Sequence, residues 1–139
     1  MKIMLTVGAK MPTRSHTYDG GLDLYAKENI DPCTIPAGGS AAFDTGVHFQ
    51  IPRHFAGLVK SRSGLMFKED IVTDGLVDAD YTGSVNVKLF NICGEPYTVM
   101  PGEKIAQLVI VPCCLPPLEV VDSMDKTERG AKGFGSTGR

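Results

Sequence analysis

The sequence predicts an all-β domain with very little helix. Three observations predict it: apolar residues recur mostly at every second position, the apolar segments are short, and turn formers separate them. Sixteen Gly and nine Pro divide the 139 residues. Many short strands at regular spacing with turns between them indicate a sandwich, a barrel or a jelly roll. A chain of this length buries about two-thirds of the surface its unfolded form exposes, enough for a single core.

Each element follows from its own pattern. The opening MKIMLTVGAK has one Lys before a short apolar run and no small-residue cleavage site, so it reads as a first strand and not as a signal peptide. GGLDLYA, Gly20 to Ala26, reads as a second strand. Phe43, Thr45, Val47, Phe49 and Ile51 alternate with polar residues or Gly until Pro52 stops the run. Val85, Val87 and Leu89 alternate with Ser84, Asn86 and Lys88. Ile105 to Val111 is almost continuously apolar, as expected of a strand buried on both faces. The best helical candidate is one or two turns at Gly64 to Glu69, with Ser63 as N-cap. The core is expected over residues 1–121. From Asp122 the chain turns polar and Gly-rich, with only Met124, Ala131 and Phe134 as apolar residues. Residues 122–139 are therefore expected to form a flexible arm.

Composition excludes several classes. Hydrophobic residues make up 42% and charged residues 22% of the chain, and no apolar run approaches the roughly 20 residues a membrane helix needs. The formal net charge is -2 with no basic stripe interleaved with aromatics, which argues against nucleic-acid binding but not against a small anionic ligand. Cys33, Cys93, Cys113 and Cys114 form no CxxC pair and are expected as free thiols of a cytoplasmic protein.

Five patches carry chemistry. In the first, Asp23 stands between Leu22 and Leu24: either an edge-strand Asp facing water, or a pocket carboxylate that orients waters around a hard cation such as Mg²⁺. The second, SRSGLMFK, sets Arg62, Ser63 and Gly64 at a strand-to-helix junction, where a planar fork of donors and outward NH groups would satisfy a phosphate. An N-cap and a surface Arg explain it equally well. The third, TDGLVDADYTG, holds Asp74, Asp78 and Asp80 around an expected hairpin, and for Asp74 and Asp80 turn chemistry suffices. Asp78 lies two residues beyond Leu76, so alternation is expected to point both inward, and a buried carboxylate needs a task or a partner. In the fourth, PGEKIAQLVI, Gln107 interrupts a buried strand, as a backbone-satisfied core amide or as a ligand contact. The fifth, RGAKGFGSTGR, matches GxGxxG formally, but only Arg139 follows where a dinucleotide site needs a helix. What remains is an arm whose Arg129, Ser136 and Thr137 suit phosphate and whose Phe134 can stack on a base.

Taken together and in this order, the five patches resemble the five motifs of the trimeric dUTPase family, a match spread from Gly20 to Gly138. The resemblance implies a jelly-roll-like β-clip barrel, a homotrimer with three shared active sites, and Mg²⁺-dependent cleavage of dUTP to dUMP and pyrophosphate. That reaction limits uracil incorporation into DNA and supplies dUMP for thymidylate synthesis. The resemblance assigns Asp78 to the attacking water and Asp23 to a metal-bound water. It assigns the backbone at Gly75, Leu76 and Val77 to uracil, Tyr81 to deoxyribose, and Arg62, Ser63, Gly64 and Gln107 to the phosphates. Asn86, Arg129, Phe134, Gly135, Ser136 and Thr137 complete the substrate-binding set. Ser61 stands where the second motif usually has Pro, Lys132 where the fifth usually has Gly, and the segment between Ser63 and Asp78 is shorter than in many relatives. A dCTP deaminase of the same superfamily would need a Glu base in the third region, where this chain has Asp and Tyr. A non-catalytic nucleotide-binding module would have no use for Asp78 together with the arm.

Overall fold

The computed structural model describes residues 1–131. Ten strands and one helix follow in chain order: β1 (Lys2–Leu5), β2 (Gly21–Tyr25), β3 (Cys33–Ile35), β4 (Ser40–Gln50), β5 (Phe55–Lys60), α1 (Ser63–Glu69), β6 (Ile71–Val72), β7 (Asp74–Val77), β8 (Ser84–Asn91), β9 (Tyr97–Val99) and β10 (Lys104–Pro112). They build two four-stranded sheets, β1-β4-β8-β6 and β2-β10-β5-β7, with β3 and β9 as a separate pair. All pairings are antiparallel. This is the jelly-roll-like β architecture that the period-two pattern anticipates.

The alternation in β4 and β8 sorts their side chains as expected. Phe43, Thr45, Val47, Phe49, Val85, Val87 and Leu89 are buried, while Asp44, Asn86 and Lys88 face solvent. Leu24, Ile35, Ile105 and Leu108 join them from the other strands, each with no more than 1% exposure. Each such side chain contributes about 1.5–3 kcal/mol by leaving water. At Gly46 the β4–β8 register breaks. The glycine has φ 66°, and a Cβ there would lie 2.5 Å from both Lys27 Cε and Thr6 Oγ1, so only Gly fits.

Three local expectations are corrected. Arg62, not Ser63, is the N-cap of α1: it is extended and makes no side-chain cap bond, while Ser63 is already helical. The stretch from Thr73 to Gly83 is not a hairpin, because β7 pairs with β5 and β8 pairs with β4 and β6, so residues 78–83 carry the chain from one sheet to the other. In β10 only Ile105, Ala106 and Leu108 are buried, and Val109, Ile110 and Val111 are half-buried. Beyond Val109 the strand has only β5 beside it, β2 having begun at Gly21.

After Pro112 the described chain, residues 113–131, contains no helix or strand, and residues 114–131 are exposed, including Leu115, Leu118, Val120 and Met124. All four cysteines are free. Among the described residues no helix is long and apolar enough to cross a membrane.

Candidate active site

The register of the second sheet lines up three of the patches in one row. Asp23 of β2 pairs with Gln107 of β10, Gln107 with Lys60 of β5, and Lys60 with Asp74 of β7. Asp23 is the buried carboxylate of this row, its side chain 12% exposed. It accepts from Arg62 Nε at 3.1 Å and pairs with Lys104 Nζ at 2.7 Å, and its backbone NH donates to the Thr13 carbonyl at 2.7 Å. The Lys104 ammonium is held above its ordinary pKa, chiefly by its hydrogen bond to Asp23, with burial opposing. Two cations around one carboxylate leave a net positive charge. Each cation is about a third exposed, with donors left over for an anion.

Gln107 and Ser61 tie this cluster to its neighbours. Gln107 Nε2 donates to the Ser61 carbonyl at 2.9 Å. The Ser61 hydroxyl donates to the Thr73 carbonyl at 3.0 Å and accepts from the Thr73 NH at 2.8 Å, two bonds that the more usual Pro could not make. Ser63 and Gly64 are exposed at the start of α1. Outside the cluster, Lys60 meets Asp74 at 2.5 Å and draws its carboxyl below the ordinary value. Both are well exposed, so the pair adds little stability.

A second surface is a cleft of about 240 Å³ lined by Val59, Gly75, Leu76, Val77, Asp78, Tyr81, Val85 and Asn86. Its size suits a base and sugar better than a whole nucleoside triphosphate. β7 forms an edge of its sheet. One row of its backbone groups bonds to β5, and the other is open to a ligand, as edge strands offer. Tyr81 lies over Gly83, where a Cβ would come within 2.4 Å of the phenol oxygen, and its OH donates to the Ser84 carbonyl at 2.9 Å. Asn86 Nδ2 donates to the same carbonyl at 3.1 Å. Asp78 and Leu76 do share a face, but it is the outward one: Leu76 is 63% exposed, Asp78 is exposed, and Val77 between them is buried. The inward expectation took Leu76 for a core residue, whereas it lines the cleft. Asp78 also borders a neighbouring cavity of about 420 Å³ with Arg53, His54 and Asp80.

The structure thus makes neighbours of Asp23, Arg62 and Gln107, and gathers Gly75, Leu76, Val77, Asp78, Tyr81 and Asn86 around the cleft. None of the cleft-lining residues belongs to the cation cluster. Arg129 is described and exposed. Phe134, Gly135, Ser136 and Thr137 lie outside the described residues. Lys104 escaped the sequence reading. Its only signal there is a basic residue at the mouth of a buried strand, and its approach to Asp23 depends on a register shift between Lys104 and Ala106. Among the described residues no three His, Cys, Asp or Glu side chains converge as a metal cage. Asp23 is already engaged by Arg62 and Lys104, so it does not fit a bare cation and fits only a hydrated Mg²⁺ carried in on phosphate oxygens.

The sequence profile of the dUTPase family matches residues 8–138. The chain belongs to the dUTPase family. It is 40% identical over 135 residues to a probable deoxyuridine 5'-triphosphate nucleotidohydrolase of Schizosaccharomyces pombe, covering 96% of this chain and 94% of that one. It is 39% identical over 142 residues to the enzyme of that name from Kluyveromyces lactis, covering 100% and 94%. Among solved structures, a Staphylococcus bacteriophage 80alpha dUTPase with dUPNHPP superposes with a TM-score of 0.89 at 30% identity, covering 99% of this chain and 98% of that one. A mutant dUTPase of the S. aureus phage phi11, described as coordinating a structural Mg(II) ion, has a TM-score of 0.79 at 29% identity and covers 88% and 96%. The fold of this chain is that of the family.

Proposed function

We propose that this protein hydrolyses dUTP to dUMP and pyrophosphate. The observation that carries the reading is the cleft in which Asp78 stands beside Tyr81 and the open edge of β7, on a chain of this family. The NH and C=O groups of Gly75, Leu76 and Val77 read the uracil edge as a further strand would. Steric exclusion and directed hydrogen bonds are needed there, because a loose apolar pocket rejects one extra methyl by only about 10- to 200-fold. Tyr81 packs on deoxyribose, leaving no room for a 2′-hydroxyl. Asp78 orients the attacking water towards the α-phosphorus and takes its proton.

Arg62, Lys104, Ser63, Gly64 and Gln107 hold the triphosphate, with Asp23 keeping the two cations in place. Asp23 would hold a hydrated Mg²⁺ through water, and the ion would supply charge neutralisation as pyrophosphate leaves. As the family resemblance implies, a complete site joins the cleft of one subunit to the cation cluster of another, in a homotrimer. The arm over residues 122–139 closes on the substrate through Arg129, Phe134, Gly135, Ser136 and Thr137. Four free thiols suit a reducing compartment, and we assign the enzyme to the cytoplasm.

A nucleotide panel tests the reading. Pyrophosphate should be released from dUTP far faster than from dCTP, dTTP or UTP, and a chelator should suppress it. Equal release from UTP would end the Tyr81 assignment, and ammonia from dCTP would point to deamination instead.

A further inference from the structure

Nothing assigned so far uses Asp44. It sits on β4 where the register breaks, and its side chain reaches across to the segment that supports Tyr81. Oδ1 of Asp44 accepts a short hydrogen bond from Ser84 Oγ and a second from the Gly46 NH at 2.9 Å. Oδ2 is paired with Lys27 Nζ at 2.5 Å. Four positions along β4, on the far side of the bulge, His48 Nδ1 meets the Thr82 carbonyl at 2.8 Å. Two β4 side chains therefore hold the residues flanking Gly83, Asp44 through the Ser84 hydroxyl and His48 through the Thr82 carbonyl. Tyr81 rests on that backbone: its ring lies against Gly83 and its OH bonds the Ser84 carbonyl, which Asn86 shares.

The Gly46 NH and Lys27 account for part of this arrangement, and the bond from the Ser84 hydroxyl adds a link to the segment under Tyr81. The Tyr81 ring is 45% exposed, and apolar packing alone does not fix its position. Its orientation comes from the platform beneath it, and the platform is set by a strand of the same sheet. The bulge at Gly46 is what brings Asp44 into reach, since Asp44 pairs with Asn86 while His48, four residues on, pairs with Ser84.

We infer that Asp44, held by Lys27, is a positioning residue for sugar discrimination, fixing through Ser84 the platform that presses Tyr81 against the 2′ carbon of the substrate. The inference rests on the reading of Tyr81 as the deoxyribose contact. Without the anchor, the Ser84 carbonyl and the Tyr81 ring gain freedom to retreat, and a 2′-hydroxyl finds room. The effect falls on substrate choice and KM, because Asp44 touches neither the water nor the phosphates.

The test uses the full chain and kcat/KM for dUTP and for UTP, read as pyrophosphate release. Asp44→Ala should lower the dUTP-over-UTP preference by about tenfold, the loss expected of one hydrogen bond, chiefly through KM for dUTP. Ser84→Ala should do the same, and the double variant should be no worse than either single one. Asp44→Asn keeps an oxygen for Ser84 and Gly46 and should retain the preference within about twofold. An unchanged preference in Asp44→Ala or Ser84→Ala, additive losses in the double variant, or failure of Asp44→Asn would each overturn the inference. Should Asp44→Ala not fold, Ser84→Ala and Asp44→Asn still decide it. A wild-type protein without preference for dUTP would remove the Tyr81 reading itself, an outcome seen before any variant is made.

Discussion

Gly21→Ala is expected to act on catalysis through a side chain three motifs further along the chain. A Cβ at position 21 would lie 2.4 Å from Gln107 Oε1, 3.1 Å from its Cδ and 3.2 Å from its Cβ. The φ of Gly21 is not positive, so the penalty is steric and not conformational. The backbones are held by β2–β10 pairing, Gly21 opposite Val109, and the amide is the part that must turn away. That breaks the 2.9 Å bond from Nε2 to the Ser61 carbonyl, at about 0.5–1.5 kcal/mol, and strains the Gln107 rotamer by a similar amount. A stability loss of about 1–3 kcal/mol follows. If Gln107 also serves the phosphates, kcat/KM for dUTP should fall about tenfold or more. Thermal melting and pyrophosphate release measure the two effects. Gln107→Ala should give a comparable loss, and adding Gly21→Ala to it should add little. Gly94→Ala, where a Cβ meets nothing within 4 Å, is the control. Wild-type activity in Gly21→Ala, or a further fall in the double variant, would refute the coupling.

Asp78→Asn should lower kcat by about 10²- to 10⁴-fold, leaving the midpoint of urea unfolding nearly unchanged because the position is exposed. Turnover close to wild type would exclude Asp78 as the base. Removing residues 129–139 should leave the β spectrum intact, since the last strand among the described residues ends at Pro112, while kcat/KM drops about a hundredfold from lost closure. A fully active truncated chain would contradict the lid. The Asp44 carboxyl is lowered from 3.8 to about 2: burial raises it, but hydrogen bonds from Lys27, Ser84 and Gly46 together outweigh that. A depressed carboxylate stabilises the folded state above its unfolded pKa, and the contribution is lost as pH falls through the folded value. The stability gap between wild type and Asp44→Asn, no more than about 1 kcal/mol after solvent screening, should be present above pH 4 and close between about pH 4 and 2. A gap independent of pH over that window would show that the ion pair is not its source.

The strands that alternate cleanly were legible from the residues alone. Phe43 to Ile51 and Val85 to Leu89 read correctly because one face of each is buried by the opposite sheet, and period two records that directly. Pairing was not legible. Nothing local to Asp74–Val77 says that its partner is β5 and not the following strand, so the sheet-to-sheet crossing looked like a hairpin. The same gap hid which side Asp78 faces, because Leu76 is apolar for a ligand and not for the core. Ser63 is a good N-cap by type, yet the helix begins one residue earlier, where Arg62 is drawn to Asp23. The residues Asp23, Arg62 and Gln107 could be named from motif order, but Lys104 and the Lys27–Asp44–Ser84 chain exist only through registers between segments far apart in sequence.

Those distant registers bear on how the molecule is made. Leu22 pairs with Leu108, and among the described residues β2 has no strand neighbour in its sheet other than β10. A growing polypeptide emerging amino end first therefore holds its second strand, with Leu24 and Tyr25, without its β10 partner until Lys104–Pro112 has emerged. Contacts of such long sequence separation form slowly. Early segments are left exposed to wrong neighbours in the meantime. Chains halted before Pro112 should be poor at folding and good substrates for chaperones and proteases, whereas loss of the final residues comes too late to matter to the barrel.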